Sequence, residues 1–158
     1  MDKQAKAQRI AEAARDAMYA RDHAAQALGI EVVDIGPGRA TLTMTVRKDM
    51  VNGHDILHGG LCFTLADTAF AYCCNSHNYN TVAHSCSITF TNAGRLGDRL
   101  TAEAVETYQK GRNGVTDVTV RNQDGLVLGM FRGNSRRIAG YLCDHPDFED
   151  PSAAKDRK

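Results

Sequence analysis

The first part of the chain shows a shallow stripe of apolar residues at helical spacing. Residues 3–27 are rich in alanine, and larger apolar side chains recur every three or four positions. Gly29 follows this stripe, and glycine is the residue that most often ends a helix. The pattern therefore predicts one or two helices in a 1–28 segment that covers the edge of the domain.

A period of two replaces the helical pattern from residue 30 onward. Val33 and Ile35 precede Gly36-Pro37-Gly38, which is a strong turn signal. Apolar residues then alternate with polar ones at Ala40, Leu42, Met44 and Val46. This alternation predicts a β-hairpin with one buried face.

The most apolar stretch runs from residue 61 to residue 74, directly after the pair Gly59-Gly60. It leaves almost no polar face, which is typical of a helix buried inside a protein. The stretch is too short and too interrupted to span a membrane. Asp67 lies in its middle, and burying a carboxylate is costly unless it is paired or used.

Four further strands are predicted after this helix, at residues 81–91, 100–109, 115–122 and 126–138. Asp124-Gly125 is typical of the turn between the last two. Two strands, one long apolar helix and four strands form an α+β order, which predicts an antiparallel sheet curled around one helix. We expect a single domain over residues 1–140 and a mobile tail over 141–158.

Composition narrows the function classes. The 158 residues suit one domain, and 19 basic residues balance 19 acidic ones. Neither this balance nor the absence of tryptophan favours binding to nucleic acid. The five cysteines form no CxxC pair, and no apolar signal-peptide region follows the N-terminus. These features predict a cytoplasmic protein with reduced thiols and no membrane attachment.

Asp67 and the two glycines suggest hydrolytic chemistry. The N-terminus of a helix offers free backbone N–H groups that could stabilise an oxyanion, and Asp67 could serve as nucleophile or general base. Asp67 follows Gly59 by eight residues, which places it about 10–12 Å along the helix. One helix cannot bring both groups to one carbon, whereas two antiparallel copies can. The spacing therefore predicts a homodimer with shared active sites.

Each candidate has a purely structural alternative. Asp67 could accept hydrogen bonds from Thr64 or Thr68, and the glycines could simply permit close packing. His54 and His58 have the spacing of a zinc pair, but no third ligand is evident, so no metal is expected. Cys62 lies in the apolar run, where a thiolate nucleophile is disfavoured.

A long motif resembles one known family. It comprises Asn52-Gly53-His54, His58-Gly59-Gly60, Phe63, Leu65-Ala66-Asp67-Thr68-Ala69-Phe70-Ala71, Asn75-Ser76 and Phe131-Arg132-Gly133-Asn134-Ser135. This pattern is similar to that of hotdog-fold acyl-CoA thioesterases, nearest to the phenylacetate-degradation (PaaI) group. The resemblance extends over roughly residues 15–140. It departs at Asn92, where many members have proline.

The resemblance implies roles for four residues, and Gly60 remains the second oxyanion candidate. Asp67 would be catalytic, and Gly59, the first of the Gly59-Gly60 pair, would supply the oxyanion hole. Asn52 would orient water or the thioester, although it could also be a turn residue before a glycine. His58 would either contact the thioester or brace the loop.

The resemblance also implies a substrate and an assembly. The substrate would be phenylacetyl-CoA or a ring-hydroxylated form, the assembly a tetramer of two dimers, with no metal or redox cofactor. Basic residues on the late strands could hold the CoA phosphates: Lys110, Arg112, Arg121, Arg132, Arg136 and Arg137. The alternatives are a hotdog enoyl-CoA hydratase or dehydratase, and a non-catalytic acyl-CoA-binding module.

Overall fold

The alanine-rich start of the chain forms two helices in the computed structural model, which describes residues 2–151. Helix α1 spans Lys3–Tyr19 and helix α2 spans His23–Ala27. Aspartate side chains cap both N-termini, because Asp2 accepts from the Gln4 N–H and Asp22 from the Ala25 N–H. A glycine with φ of +66°, Gly29, follows α2, as the stripe predicts.

Six strands form one antiparallel sheet with the order β1-β2-β4-β5-β6-β3. The strands are β1 (Glu31–Gly36), β2 (Arg39–Thr45), β3 (Tyr79–Phe90), β4 (Arg99–Lys110), β5 (Asn113–Arg121) and β6 (Val127–Tyr141). A short 3-10 helix, Lys48–Met50, follows β2. The predicted α+β architecture is confirmed, and β3 and β6 extend beyond their predicted ends to include the pair Tyr79 and Tyr141.

The apolar run forms helix α3, Gly59–Asn75, which packs against every strand of the sheet. Its buried residues include Leu65, Phe70 and Tyr72, which join the core formed by the inner face of the sheet. Asn75 fixes the end of α3 to the start of β3. Its side chain donates to the Thr81 carbonyl at 2.9 Å and accepts from the Thr81 N–H at 3.0 Å. No helix within the described residues is long and apolar enough to cross a membrane.

The first hairpin differs from the prediction at one position. Ile35 is buried, but Val33 is 52% exposed. The reason is a register shift between Val32 and Asp34 in the pairing of β1 with β2, because a bulge places an extra residue out of the alternation.

Within residues 2–151, strand β3 lies at an edge of the sheet and pairs with β6 alone. Most of its twelve residues are exposed or half-buried. The last of them, Phe90, is 54% exposed. An edge strand of this length presents unpaired backbone groups along one side, which favours pairing with another strand.

The residues after β6 contact the domain as far as the structure describes them. The Cys143 N–H donates to Asn78, and the Arg9 guanidinium pairs with Asp147 at 2.6 Å. The Phe148 ring packs on two tyrosines, Tyr79 and Tyr141. These contacts join residues 142–148 to the domain, while the mobility predicted for 141–158 stays a prediction. Residues 152–158 lie outside the described part of the chain.

Candidate active site

The imidazole of His58 caps the N-terminus of α3. Its Nδ1 accepts from the Gly60 N–H at 2.9 Å, and its carbonyl accepts from the Leu61 N–H at 2.9 Å. The Gly59 N–H has no acceptor among residues 2–151. Of the two candidate oxyanion donors, the structure therefore leaves Gly59 free and engages Gly60. His58 has the bracing contact that the sequence left open.

The side chain of Asn52 shapes the loop before α3. Its Oδ1 accepts from the His54 N–H at 2.9 Å and more weakly from the Ile56 N–H at 3.4 Å. This is the turn role expected of asparagine before a glycine. Its Nδ2 donates to no described residue, so the amide remains available to a ligand.

A cavity of about 360 Å³ opens beside Asn52 and Gly59. Its lining is mostly apolar and comes from the loop before α3, the first turns of α3, and the ends of β3 and β6. The lining residues are Asn52, Ile56, Leu57, Gly59, Cys62, Phe90, Thr91, Asn92, Ala93, Gly94 and Leu128. Such a site suits an apolar group attached to a polar one that Asn52 and Gly59 could contact.

The Phe90 ring packs closely against the first residue of α3, Gly59. A Cβ at Gly59 would lie 3.0 Å from the tip of this ring. Gly59 therefore permits the close approach of an aromatic side chain as well as leaving its amide free.

Asp67 is half-buried in α3, five residues after the cavity residue Cys62. Burial raises the pKa of its carboxyl, and a hydrogen bond from Cys86 partly opposes this. The predicted structural alternative does not occur: the Thr64 hydroxyl donates to the Gly60 carbonyl at 2.8 Å, and the Thr68 hydroxyl donates to the Thr64 carbonyl at 2.6 Å.

The single chain does not bring all the predicted site residues together. Asn52 and Gly59 line the cavity, with His58 bracing them, but Asp67 is not among the lining residues. Eight residues of helix separate Asp67 from Gly59, which is about 12 Å. The fold of one chain therefore places the cavity with Gly59 and the Asp67 carboxylate about two helical turns apart.

The competing candidates lack supporting geometry. His58 Nδ1 is engaged by Gly60, His54 is exposed, and no group of three or more potential ligands lies close enough to hold a metal within the described range. Burial raises the pKa of the Cys62 thiol to about 11, so it is protonated at neutral pH.

The basic residues predicted to hold CoA do not form one patch. Arg132 pairs with Asp117 at 2.6 Å, and Arg137 stacks on the Tyr79 ring at 4.3 Å. Arg121 pairs with Val127, which precedes the cavity residue Leu128, whereas Lys110 of β4 pairs with Asn113 at the opposite end of β5. Register alone therefore favours Arg121 among the six.

Sequence reasoning missed one residue near the site, Cys86, and noted Asn92 only as a departure from the family pattern. Asn92 donates to the Val127 carbonyl at 2.8 Å and so ties the end of β3 to β6 at the cavity. Cys86 contacts Asp67, with 3.9 Å between its sulfur and Oδ1. The alternation of β3 places Cys86, Ile88 and Phe90 on one face, so the sequence can indicate that Cys86 faces inward but not that it meets Asp67.

Comparison with known proteins agrees with this architecture. The sequence profile of the thioesterase superfamily matches residues 54–128. The Escherichia coli acyl-coenzyme A thioesterase PaaI is 48% identical over 126 residues, which cover 80% of this chain and 90% of that protein. This chain belongs to the thioesterase superfamily. Within the superfamily it is an acyl-CoA thioesterase of the PaaI family.

Solved structures show the same fold. The E. coli PaaI structure, from a phenylacetic acid degradation operon, matches with a TM-score of 0.84 and 45% identity, covering 85% of this chain and 97% of that one. A Streptococcus mutans protein bound to acetyl CoA matches with a TM-score of 0.69 and 25% identity, covering 71% and 90%. The predicted hotdog fold, family and enzyme class are thereby confirmed for this thioesterase.

Proposed function

We propose that this thioesterase hydrolyses aryl-acyl-CoA thioesters, with phenylacetyl-CoA or a ring-hydroxylated form as substrate. The observation that carries the proposal is the mostly apolar cavity that opens beside the unpaired Gly59 amide. Phe90, Leu57 and Leu128 offer surfaces on which an aromatic ring could pack. The name and operon of the E. coli relative support the same substrate class.

The complete site would combine two subunits. The cavity and Gly59 would come from one chain, and Asp67 would come from the α3 helix of a second chain. The separation of about 12 Å within one helix supports this division, since a nucleophile or base must lie within a few ångströms of the reacting carbon. The free edge of β3 offers a surface for the dimer, and two such dimers would form the tetramer.

The reaction would proceed by attack on the thioester carbonyl carbon. The carbonyl oxygen would accept a hydrogen bond from the Gly59 N–H, which stabilises the developing negative charge. Asp67 would either take a proton from water or attack the carbon itself to form a mixed anhydride that water then cleaves. Either route breaks the C–S bond, adds the elements of water, and yields the free acid and CoA. Asn52 would orient the water or the thioester through its free amide.

The proposed reaction needs only water as co-reactant, so we propose no metal or redox cofactor. All five cysteines are free thiols. Free thiols are typical of a reducing compartment, which supports a cytoplasmic location.

Thiol release from a panel of CoA esters tests the proposal. We expect phenylacetyl- and hydroxyphenylacetyl-CoA to give kcat/KM values at least about tenfold above aryloxy- and fatty-acyl esters. Asp67→Asn is expected to lower kcat by about 10³-fold or more, because the nearly isosteric amide can neither attack nor accept the proton.

The matched control is Asp124→Asn, in the turn between β5 and β6. Asparagine before a glycine suits such a turn, so activity within about threefold of wild type is expected. Activity of Asp67→Asn in the same range as this control would contradict the proposed role. Preference for a fatty-acyl ester would contradict the proposed substrate alone.

A further inference from the structure

The carboxylate of Asp67 has few partners that could fix its orientation. The hydroxyl groups nearest in sequence, on Thr64 and Thr68, donate to backbone carbonyls of α3 instead. Oδ2 accepts no hydrogen bond from residues 2–151. The remaining contact is between Oδ1 and the sulfur of Cys86, at 3.9 Å.

Cys86 comes from the sheet and not from α3. It pairs with Gly133 of β6, whose lack of a side chain lets the Phe70 ring of α3 lie close against the sheet beside it. The next residues on either side, Ser85 and Ser87, point to the opposite face, because side chains alternate along a strand. Cys86 is therefore placed to reach Asp67 across the gap between β3 and α3.

The thiol is in the form that can donate. Burial, together with the negative charge of Asp67, raises the pKa of Cys86. At neutral pH the S–H is thus retained and acts as a weak donor toward an acceptor-only carboxylate. In return, this hydrogen bond favours the ionised form of Asp67.

We propose that Cys86 is a positioning residue for hydrolysis, whose S–H holds Oδ1 of Asp67 so that Oδ2 faces the reacting carbon. The inference rests on the proposed catalytic role of Asp67. It adds a residue that does not touch the substrate and that acts through the orientation and ionisation of the carboxylate. Because Cys86 lies on the free edge strand, formation of the dimer and alignment of Asp67 would depend on the same strand.

Two substitutions separate donation from packing. Cys86→Val keeps a similar volume in a strand but has no donor, whereas Cys86→Ser keeps a donor in a smaller side chain. We expect Cys86→Val to lower kcat by about tenfold with KM changed by less than about twofold, because small misplacements of a reacting group are costly. Cys86→Ser is expected to keep at least about a third of the wild-type kcat.

The pH profile of kcat/KM provides the second readout. Loss of the S–H donor removes an interaction that lowers the pKa of Asp67. The acidic limb of Cys86→Val is therefore expected at higher pH than that of wild type, and the limb of Cys86→Ser nearer to wild type. A merely structural role would lower activity without moving this limb. Cys143→Ala is the control for loss of a thiol outside the site, with unchanged activity and pH profile expected.

Two results would overturn the inference: equal effects of Cys86→Val and Cys86→Ser, or a Cys86→Val enzyme with wild-type kcat and an unmoved acidic limb. If Asp67→Asn is inactive in the same assays, the proposed function stands and only the role of Cys86 fails. If Asp67→Asn remains active, the proposed function itself fails.

Discussion

At Asp67, burial disfavours the ionised side chain that the proposed reaction requires. Partial burial raises the pKa of the carboxyl, and the Cys86 hydrogen bond compensates only in part. No described basic side chain pairs with it. Functional groups in such surroundings commonly reduce the stability of the folded state.

Asp67→Asn is therefore expected to increase the free energy of unfolding at neutral pH while abolishing activity. The folded-state pKa of Asp67 lies above its unfolded value, so the ionised wild-type residue destabilises the fold above the folded-state pKa. The difference disappears below the ordinary value of 3.8. Partial exposure limits the gain to the order of 0.5 kcal/mol.

Urea denaturation at fixed protein concentration, at neutral pH and again near the ordinary aspartate pKa, measures this difference. A variant that is less stable than wild type at neutral pH would show that Asp67 makes a stabilising contact in the assembled protein.

The motif located Asp67, the resemblance assigned the oxyanion role to Gly59, and the structure adds a physical reason to prefer Gly59 over Gly60. That reason is the His58 imidazole, which accepts a hydrogen bond from the Gly60 N–H and leaves the adjacent Gly59 N–H without an acceptor among residues 2–151. Without the resemblance, the residue pattern does not distinguish the two glycines, because both precede the same apolar run. Cys86 was not identified because a cysteine in an alternating strand looks like any small apolar residue.

At the level of elements, α3 combines an almost wholly apolar body with an unusual N-terminal cap. Histidine is not among the preferred capping residues, yet His58 Nδ1 provides the acceptor that serine or asparagine usually provides. The cap holds the first turn whose free amide forms the proposed oxyanion hole.

His58→Ala is expected to lower the free energy of unfolding by about 1 kcal/mol, because the Gly60 N–H loses its acceptor. His58→Asn restores a capping acceptor and should recover most of that loss. Thermal unfolding and thiol release are measured on both variants.

If His58→Asn recovers stability and also activity, then His58 acts through the cap alone. Recovery of stability without activity would instead show that the imidazole contacts the thioester. Equal stability of His58→Ala and wild type would contradict the capping role.

Strand positions followed from alternation, but two features did not. Val33 breaks the alternation because of a bulge, and a one-residue shift reverses the face to which a side chain points. The start of β3 and the end of β6 extend beyond their predicted bounds because these two ends pair with each other, at Tyr79 and Tyr141. Pairing between distant segments leaves no local signal in the sequence.

At the scale of the whole molecule, the fold of the chain keeps the cavity beside Gly59 apart from the carboxylate of Asp67. The eight-residue spacing on one helix was sufficient to predict this separation. The contacts of residues 142–151 could not be predicted in the same way, because Phe148 and Asp147 lie in a segment without periodicity.

Mixed dimers test the shared site. Asp67→Ala and Gly59→Ala subunits, carrying different affinity tags, are produced together and purified through both tags. Each is expected to be inactive alone, the second because its new Cβ displaces Phe90 at the free amide. A mixed dimer contains one wild-type site and one doubly altered site, so about half of wild-type activity is expected.

No activity in doubly purified dimers would contradict the shared arrangement, as would a monomer that is active at micromolar concentration. Refolded single variants serve as controls for reversion and for contamination by wild-type protein.

The contact between Gly59 and the Phe90 ring has a consequence for substitutions at either position. A methyl group at position 59 would require the tip of the exposed ring to move by a few tenths of an ångström, so the two positions are coupled. A smaller side chain at position 90 would relieve this contact and would also widen the mouth of the cavity that both residues line. The effect of a substitution at one of the two positions is therefore expected to depend on the residue at the other.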